Sequence, residues 1–142
     1  MAVINTNIVS SWAMASLGQV ARESFKNTQR LSTGSAINSA ADNASGLSIT
    51  HQMTSQIRGL DVAWRNIGDG LVLGAQLSRL THAGDNVSTM RISQTASRSR
   101  ILDSDYAKEA SDLVRLRIIQ DAATSELAQD YVNQRSVLDL LK

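Results

Sequence analysis

The chain has 142 residues, with 14 basic and 13 acidic side chains for a net charge of +1, only 4% aromatic residues, and neither proline nor cysteine. That length fits one domain. The balanced charge gives no field to hold a polyanion and the aromatics are too few to stack bases, which argues against nucleic acid. Without cysteine there is no disulfide framework or thiolate chemistry, and no apolar run approaches the roughly 20 residues of a membrane span.

The start, Met1 to Asn7, has no basic or continuously apolar stretch, which argues against a cleaved signal peptide. From Val3 to Leu31 apolar or small residues recur at Ile4, Ile8, Trp12, Ala15, Leu17, Val20, Ala21, Ser24, Phe25, Thr28 and Leu31. Steps of three and four dominate, so the spacing predicts a first, long amphipathic helix. Ser32 to Gly46 is rich in Ser, Asn, Asp and Gly, which compete with a helix for backbone hydrogen bonds, and reads as a linker or ordered loop. Asp42 or Asn43 is placed to cap the next helix.

That second helix, Leu47 to Leu80, carries the clearest pattern. Met53, Ile57, Leu60, Trp64, Ile67 and Leu71 form a heptad seam, with Arg58, Asp61, Arg65, Asn66 and Asp69 on the opposite face. Thr81 to Asp85 reads as a turn with Gly84 as its left-handed residue. A third, more polar helix, Asn86 to Leu102, needs a partner for stability, and returning antiparallel along the Met53–Leu71 seam would supply one. After Asp103-Ser104-Asp105, the segment from Tyr106 to Lys142 is apolar around more than one face. Such a helix must be buried on several sides, more than three partner segments of one chain can easily cover; other subunits could.

Catalytic patterns are absent from this reading. His51 and His82 have no acidic or histidine neighbour at ligand spacing, no nucleophile elbow occurs, and Gly68-Asp69-Gly70 lacks the strand and the Lys-Ser/Thr pair of a phosphate loop. No enzyme activity, metal or cofactor is expected. Arg91, Arg98 and Arg100 form the basic cluster, read as a solvated face or as partners of Asp103 and Asp105. Trp12 and Trp64 each sit on the apolar face of their helix.

Several motifs resemble a known family. Ile4-Asn5-Thr6-Asn7, Gln29-Arg30-Leu31-Ser32-Thr33-Gly34, Ile37 to Leu47, Gln56-Ile57-Arg58-Gly59-Leu60, Arg65-Asn66 and Asp69-Gly70 resemble the N-terminal region of bacterial flagellins. Ser97 to Ala107, Leu127-Ala128-Gln129 and Val137 to Lys142 resemble the flagellin C-terminal block. The resemblance implies an all-α fold, an elongated helical hairpin or coiled-coil bundle of about four helices with paired terminal helices. It implies that 1–33 and 106–142 form an inner-tube coiled coil, 34–46 and 103–105 spoke linkers, and 47–102 an outer-tube hairpin.

The implied function is a structural subunit polymerising with itself into the extracellular flagellar filament for motility, its terminal helices largely disordered before assembly. Export through the flagellar type III apparatus needs no signal peptide, and an export chaperone, filament cap and hook–filament junction proteins are implied partners. Inner contacts are expected from Ile4, Ile8, Trp12, Val20, Phe25, Leu31, Leu113, Leu116, Ile119, Ala123, Leu127, Leu138 and Leu141, and hairpin contacts from the second-helix seam. The alternatives are a junction or minor filament protein, or a helical binding module that never polymerises.

The sequence also departs from the family pattern. The first half runs to about Leu80 and the second begins almost at once, without the variable outer domain. Gln76 to Leu80 is at best a remnant of the motif read by the flagellin-sensing innate receptor, whose recognition is therefore doubtful. The chain has Val132-Asn133-Gln134 where flagellins often have Val-Pro-Gln.

Overall fold

A computed structural model describes residues 7–72 and 77–139, excepting the side chains of 134 and 137–139. Ile4 and Leu141 lie outside that range, as does the side chain of Leu138. Four helices follow one another: α1 (Ile8–Thr33), α2 (Ala40–Val72), α3 (Leu77–Leu102) and α4 (Tyr106–Asp139). The fold is all-α, and the chain divides into two compact units. One comprises Met1–Thr33 with Asp105–Lys142, the other Gly34–Ser104.

In the first unit α1 packs against α4. Asn7 starts α1 as its cap, its Oδ1 accepting the Ser10 N–H at 2.9 Å. Gly34 (φ 68°) follows the last turn, in the left-handed conformation that ends a helix at little steric cost to glycine. Asp105 caps α4, Oδ1 accepting from the N–H groups of Ala107 and Lys108 at 3.0 and 3.2 Å.

In the second unit α2 packs antiparallel to α3. Contacts ascend one helix while descending the other: Thr54 meets Arg98, Gln56 meets Gln94, Asp61 meets Arg91 and Gly70 approaches Leu80. The linker before α2 is ordered by side chains. Asp42 Oδ2 accepts from the Asn38 and Ser39 N–H groups and the Ser39 hydroxyl at 3.0–3.2 Å. Asn43 is extended (φ −164°, ψ 97°), breaking a first short turn at Ala40 from the long run of α2. Its Oδ1 accepts the Gly46 N–H at 2.9 Å, so of the two candidates Asn43 is the cap of that run and Asp42 ties down the incoming chain.

Glycine at 46 is required by space. A Cβ there would stand 2.8 Å from Ile37 Cδ1 and 2.9 Å from Asn43 Nδ2, and Ile37 is buried. Gly46→Val is therefore expected to expel the cap and the Ile37 side chain together, costing about 2–3 kcal/mol. A thermal melt followed by far-UV circular dichroism reads this as a lowered midpoint, and an unchanged midpoint would refute the packing.

The turn expected at Thr81 to Asp85 does not form. Those residues lie inside α3, as do Leu77 to Leu80, which were expected in the second helix, described here to Val72; Gly84 is helical and buried. The glycine makes no reversal and faces the seam: a Cβ at 84 would lie at ordinary contact distance, 3.5 Å from the Trp64 ring and 3.6 Å from Ile67 Cγ2. A helical glycine costs roughly 1 kcal/mol relative to alanine, so the apolar contact outweighs the local preference for a break.

Candidate self-assembly surface

Along α1, the residues turned toward the core of the unit are Ser10, Ala13, Leu17, Val20, Ser24, Asn27 and Leu31, alternating by three and four. Along α4 they are Glu109, Leu113, Leu116, Ala123, Leu127 and Asp130. Each set is a heptad stripe, which keeps two helices facing over their length. Val20 and Leu116 are the buried large apolar residues here, Leu116 at 5% exposure, while Leu17, Leu31, Leu113, Ala123 and Leu127 are half-buried.

Both ends of the stripe are polar. At one, Asn7 Nδ2 donates to Asp130 Oδ2 at 2.6 Å and the buried Ser10 hydroxyl reaches the Tyr131 hydroxyl at 3.3 Å. At the other, the Glu109 carboxylate is buried at 7% residue exposure. Its Oε1 accepts from the Arg30 guanidinium at 3.3 Å, and in the favoured amide orientation Asn27 Nδ2 donates to Oε2 at 2.5 Å. A buried carboxylate is tolerated only with such partners: Arg30 offsets its charge and Asn27 supplies a neutral donor.

The remaining apolar residues face away. Ile8, Val9, Trp12, Met14 and Phe25 of α1 are exposed, Trp12 at 75%. So are Val114, Ile118, Ile119 and Val132 of α4. On α4, Ser111, Val114, Ile118, Ala122, Ser125, Gln129 and Val132 recur at steps of three and four on the side opposite the first stripe. That helix therefore carries two stripes, of which α1 covers one. Of the inner contacts expected from sequence, Val20, Leu31, Leu113, Leu116, Ala123 and Leu127 lie within the α1–α4 pair, whereas Ile8, Trp12, Phe25 and Ile119 stand on its surface.

On the other unit, Met53, Ile57, Leu60, Ile67 and Leu71 are half-buried, while Trp64 remains 43% exposed with its ring over Gly84. Arg91 pairs with Asp61 across the hairpin at 3.0 Å and Arg98 reaches the Thr54 hydroxyl at 3.4 Å, so these two arginines turn to α2 rather than to Asp103 or Asp105. His51 and His82 are exposed. Among the described residues no three His, Asp or Glu side chains converge as metal ligands, and no described helix is long and apolar enough to cross a membrane.

Reading by large apolar spacing missed Ser10, Asn27, Arg30 and Glu109. The signal was present for Ser10 and Asn27, which continue the three-and-four rhythm once polar residues are counted. Nothing local marks Arg30 and Glu109 as partners, 79 residues apart in the chain.

The fold of this unit is a pair of helices that leaves Val114, Ile118 and Val132 of α4 exposed on the side away from α1, and known sequences give the family. The bacterial flagellin N-terminal helical region matches residues 4–133, so the chain belongs to the bacterial flagellin family. Flagellin A of Vibrio anguillarum is 46% identical over 68 residues, covering 48% of this chain and 18% of that protein. Polar flagellin C of Vibrio parahaemolyticus has the same identity and coverage. The B-type flagellin of Pseudomonas aeruginosa is 44% identical over 70 residues, covering 49% of this chain and 14% of its own. The matched stretch thus spans less than a fifth of these relatives.

Proposed function

We propose that the chain is a structural subunit that polymerises into the flagellar filament and has no catalytic role. The observation that carries this reading is the second stripe of α4, exposed at Val114, Ile118 and Val132 on the side away from α1. Apolar side chains left open on a helix favour association with other copies that cover them. Subunit contacts of that kind are heterologous, and heterologous contacts that do not close give helical polymers.

In this reading 1–33 and 106–142 build the inner tube, 34–46 and 103–105 act as spokes, and 47–102 form the outer tube. Assembly takes place outside the cell after export by the flagellar type III apparatus, with an export chaperone, the filament cap and the junction proteins as partners. Family membership and the covered and uncovered stripes support this arrangement. The experiment is polymerisation of purified protein with ammonium sulfate or filament seeds, followed by negative-stain microscopy. Filaments with a tubular cross-section are expected, and a chain that stays monomeric under seeding would overturn the proposal. Copy number per filament distinguishes a main subunit from a junction or minor component.

A further inference from the structure

The polar contacts between α1 and α4 gather at the two ends of the pair and run antiparallel. Asn7 meets Asp130 and Ser10 meets Tyr131, while Asn27 and Arg30 meet Glu109. Asn27 also reaches the next turn of α4, its Oδ1 accepting the Leu113 N–H at 3.3 Å. Between those ends the stripes are made of small and apolar residues, Ala13, Leu17, Val20 and Ser24 against Leu113, Leu116, Ala123 and Leu127.

A stripe that repeats every seven residues can slide by seven and still face its partner. Slid one heptad toward the start of α1, α4 would meet Ala13 where Val20 stands, Leu17 where Ser24 stands and Val20 where Asn27 stands. The seam stays continuous, smaller at some places and larger at others, so size alone separates the two registers weakly. Glu109 separates them sharply. It would meet Glu23 in place of Arg30 and Val20 in place of Asn27, so a buried carboxylate would lose both donors and gain a like charge. The opposite slide carries Glu109 past Thr33, where α1 ends.

We infer that the Asn27–Arg30–Glu109 cluster sets the register in which α1 and α4 pair as a subunit enters the filament. A slip of one heptad moves α4 by about 10 Å along α1, and with it the open stripe at Val114, Ile118 and Val132. Neighbouring copies would then no longer find that stripe and the exposed residues of α1 in one fixed arrangement. Arg30 and Glu109 are positioning residues: neither lies on the open stripe, and each acts through the pairing it permits. The inference rests on the filament reading and needs no pairing before assembly.

Charge reversal tests it in seeded sedimentation of the full chain. Glu109→Arg and Arg30→Glu each set like charges in the cluster, and each is expected to raise the critical concentration at least about tenfold. The double variant restores opposite charges in the native register, and Asn27 can turn its amide oxygen toward the guanidinium. It is expected to assemble at a concentration about threefold or more below either single variant. Arg30 stands in the last turn of α1 and Glu109 in the first turn of α4, where the helix dipoles favour those charges. If the dipoles were their whole use, the double variant would be the worst of the three, and that result would overturn the inference. So would single variants that assemble like the unsubstituted chain.

Register is read directly by adding Asn7→Cys with Asp130→Cys to each form, in a chain that has no other cysteine. A short bismaleimide is expected to join the two within one chain in filaments of the parent and of the charge-swapped form. In Glu109→Arg driven to assemble at high concentration the yield is expected to fall, because the reversed charge finds Glu23 in the slipped register. Equal cross-linking there would overturn the inference. A parent chain that forms no filaments overturns the filament reading and this inference with it, whereas failure of the swap overturns the inference alone.

Discussion

Leu116→Asp is expected to separate α1 from α4 and to abolish polymerisation. Leu116 is 5% exposed at the middle of the α4 stripe. Removing it forfeits about 1.5–3 kcal/mol of apolar burial, and a carboxylate left there without a donor adds about 3–5 kcal/mol more. The combined loss, at least about 4 kcal/mol, is comparable with the whole stability of many small domains. Sedimentation under seeding should find a soluble monomer and no pellet, and normal filaments would refute the place of Leu116 in assembly.

Trp12→Glu is expected to separate the two properties. The indole is 75% exposed on the surface of the α1–α4 pair, so its loss should leave helix content unchanged. In the proposed filament its contribution would come from contacts between copies, where burying a large apolar side chain is worth about 1.5–3 kcal/mol and the same contact recurs at every subunit. A carboxylate at that position replaces the gain with a desolvation cost, and polymerisation should fail at protein concentrations where the unsubstituted chain assembles fully. Seeded assembly followed by turbidity measures the effect. Filaments forming at the normal critical concentration would remove Trp12 from the subunit contact, and a fall in monomer helicity would assign it to the chain's own fold.

The four helices and the return of α3 along α2 were legible because long amphipathic runs impose a period that no other structure shares, whereas the pairing of α1 with α4 followed from the resemblance to flagellins. The exact turns were not. Thr81 to Asp85 has the composition of a reversal, yet it is helical because Gly84 packs beneath Trp64, a contact between residues 20 apart that a local reading cannot weigh. The N-cap was narrowed to two residues by chemistry, and only geometry showed Asn43 capping while Asp42 holds Asn38 and Ser39.

The surface was legible in part. Large apolar residues identified α4 as a helix needing several partners, but size alone could not sort Val20 and Leu116, which are covered within the chain, from Trp12 and Phe25, which are not. Small and polar residues carry that distinction. Ser10, Ala13, Ser24 and Asn27 let α1 lie along α4 on a face that hydrophobicity ranks below the exposed one. The same preference hid Glu109, whose burial depends on Arg30 and Asn27 arriving from the other end of the sequence.

The two tryptophans give the molecule a pair of built-in optical reporters. One stands in each unit: Trp12 open to solvent on α1, Trp64 partly covered by its neighbours on α3. Fluorescence from an indole shifts to the blue as water leaves its surroundings, so in the proposed filament the emission of the first would track coverage by another copy, and that of the second tracks closure of the hairpin. Replacing either by phenylalanine isolates the other. Association and folding can then be timed separately in an unlabelled chain.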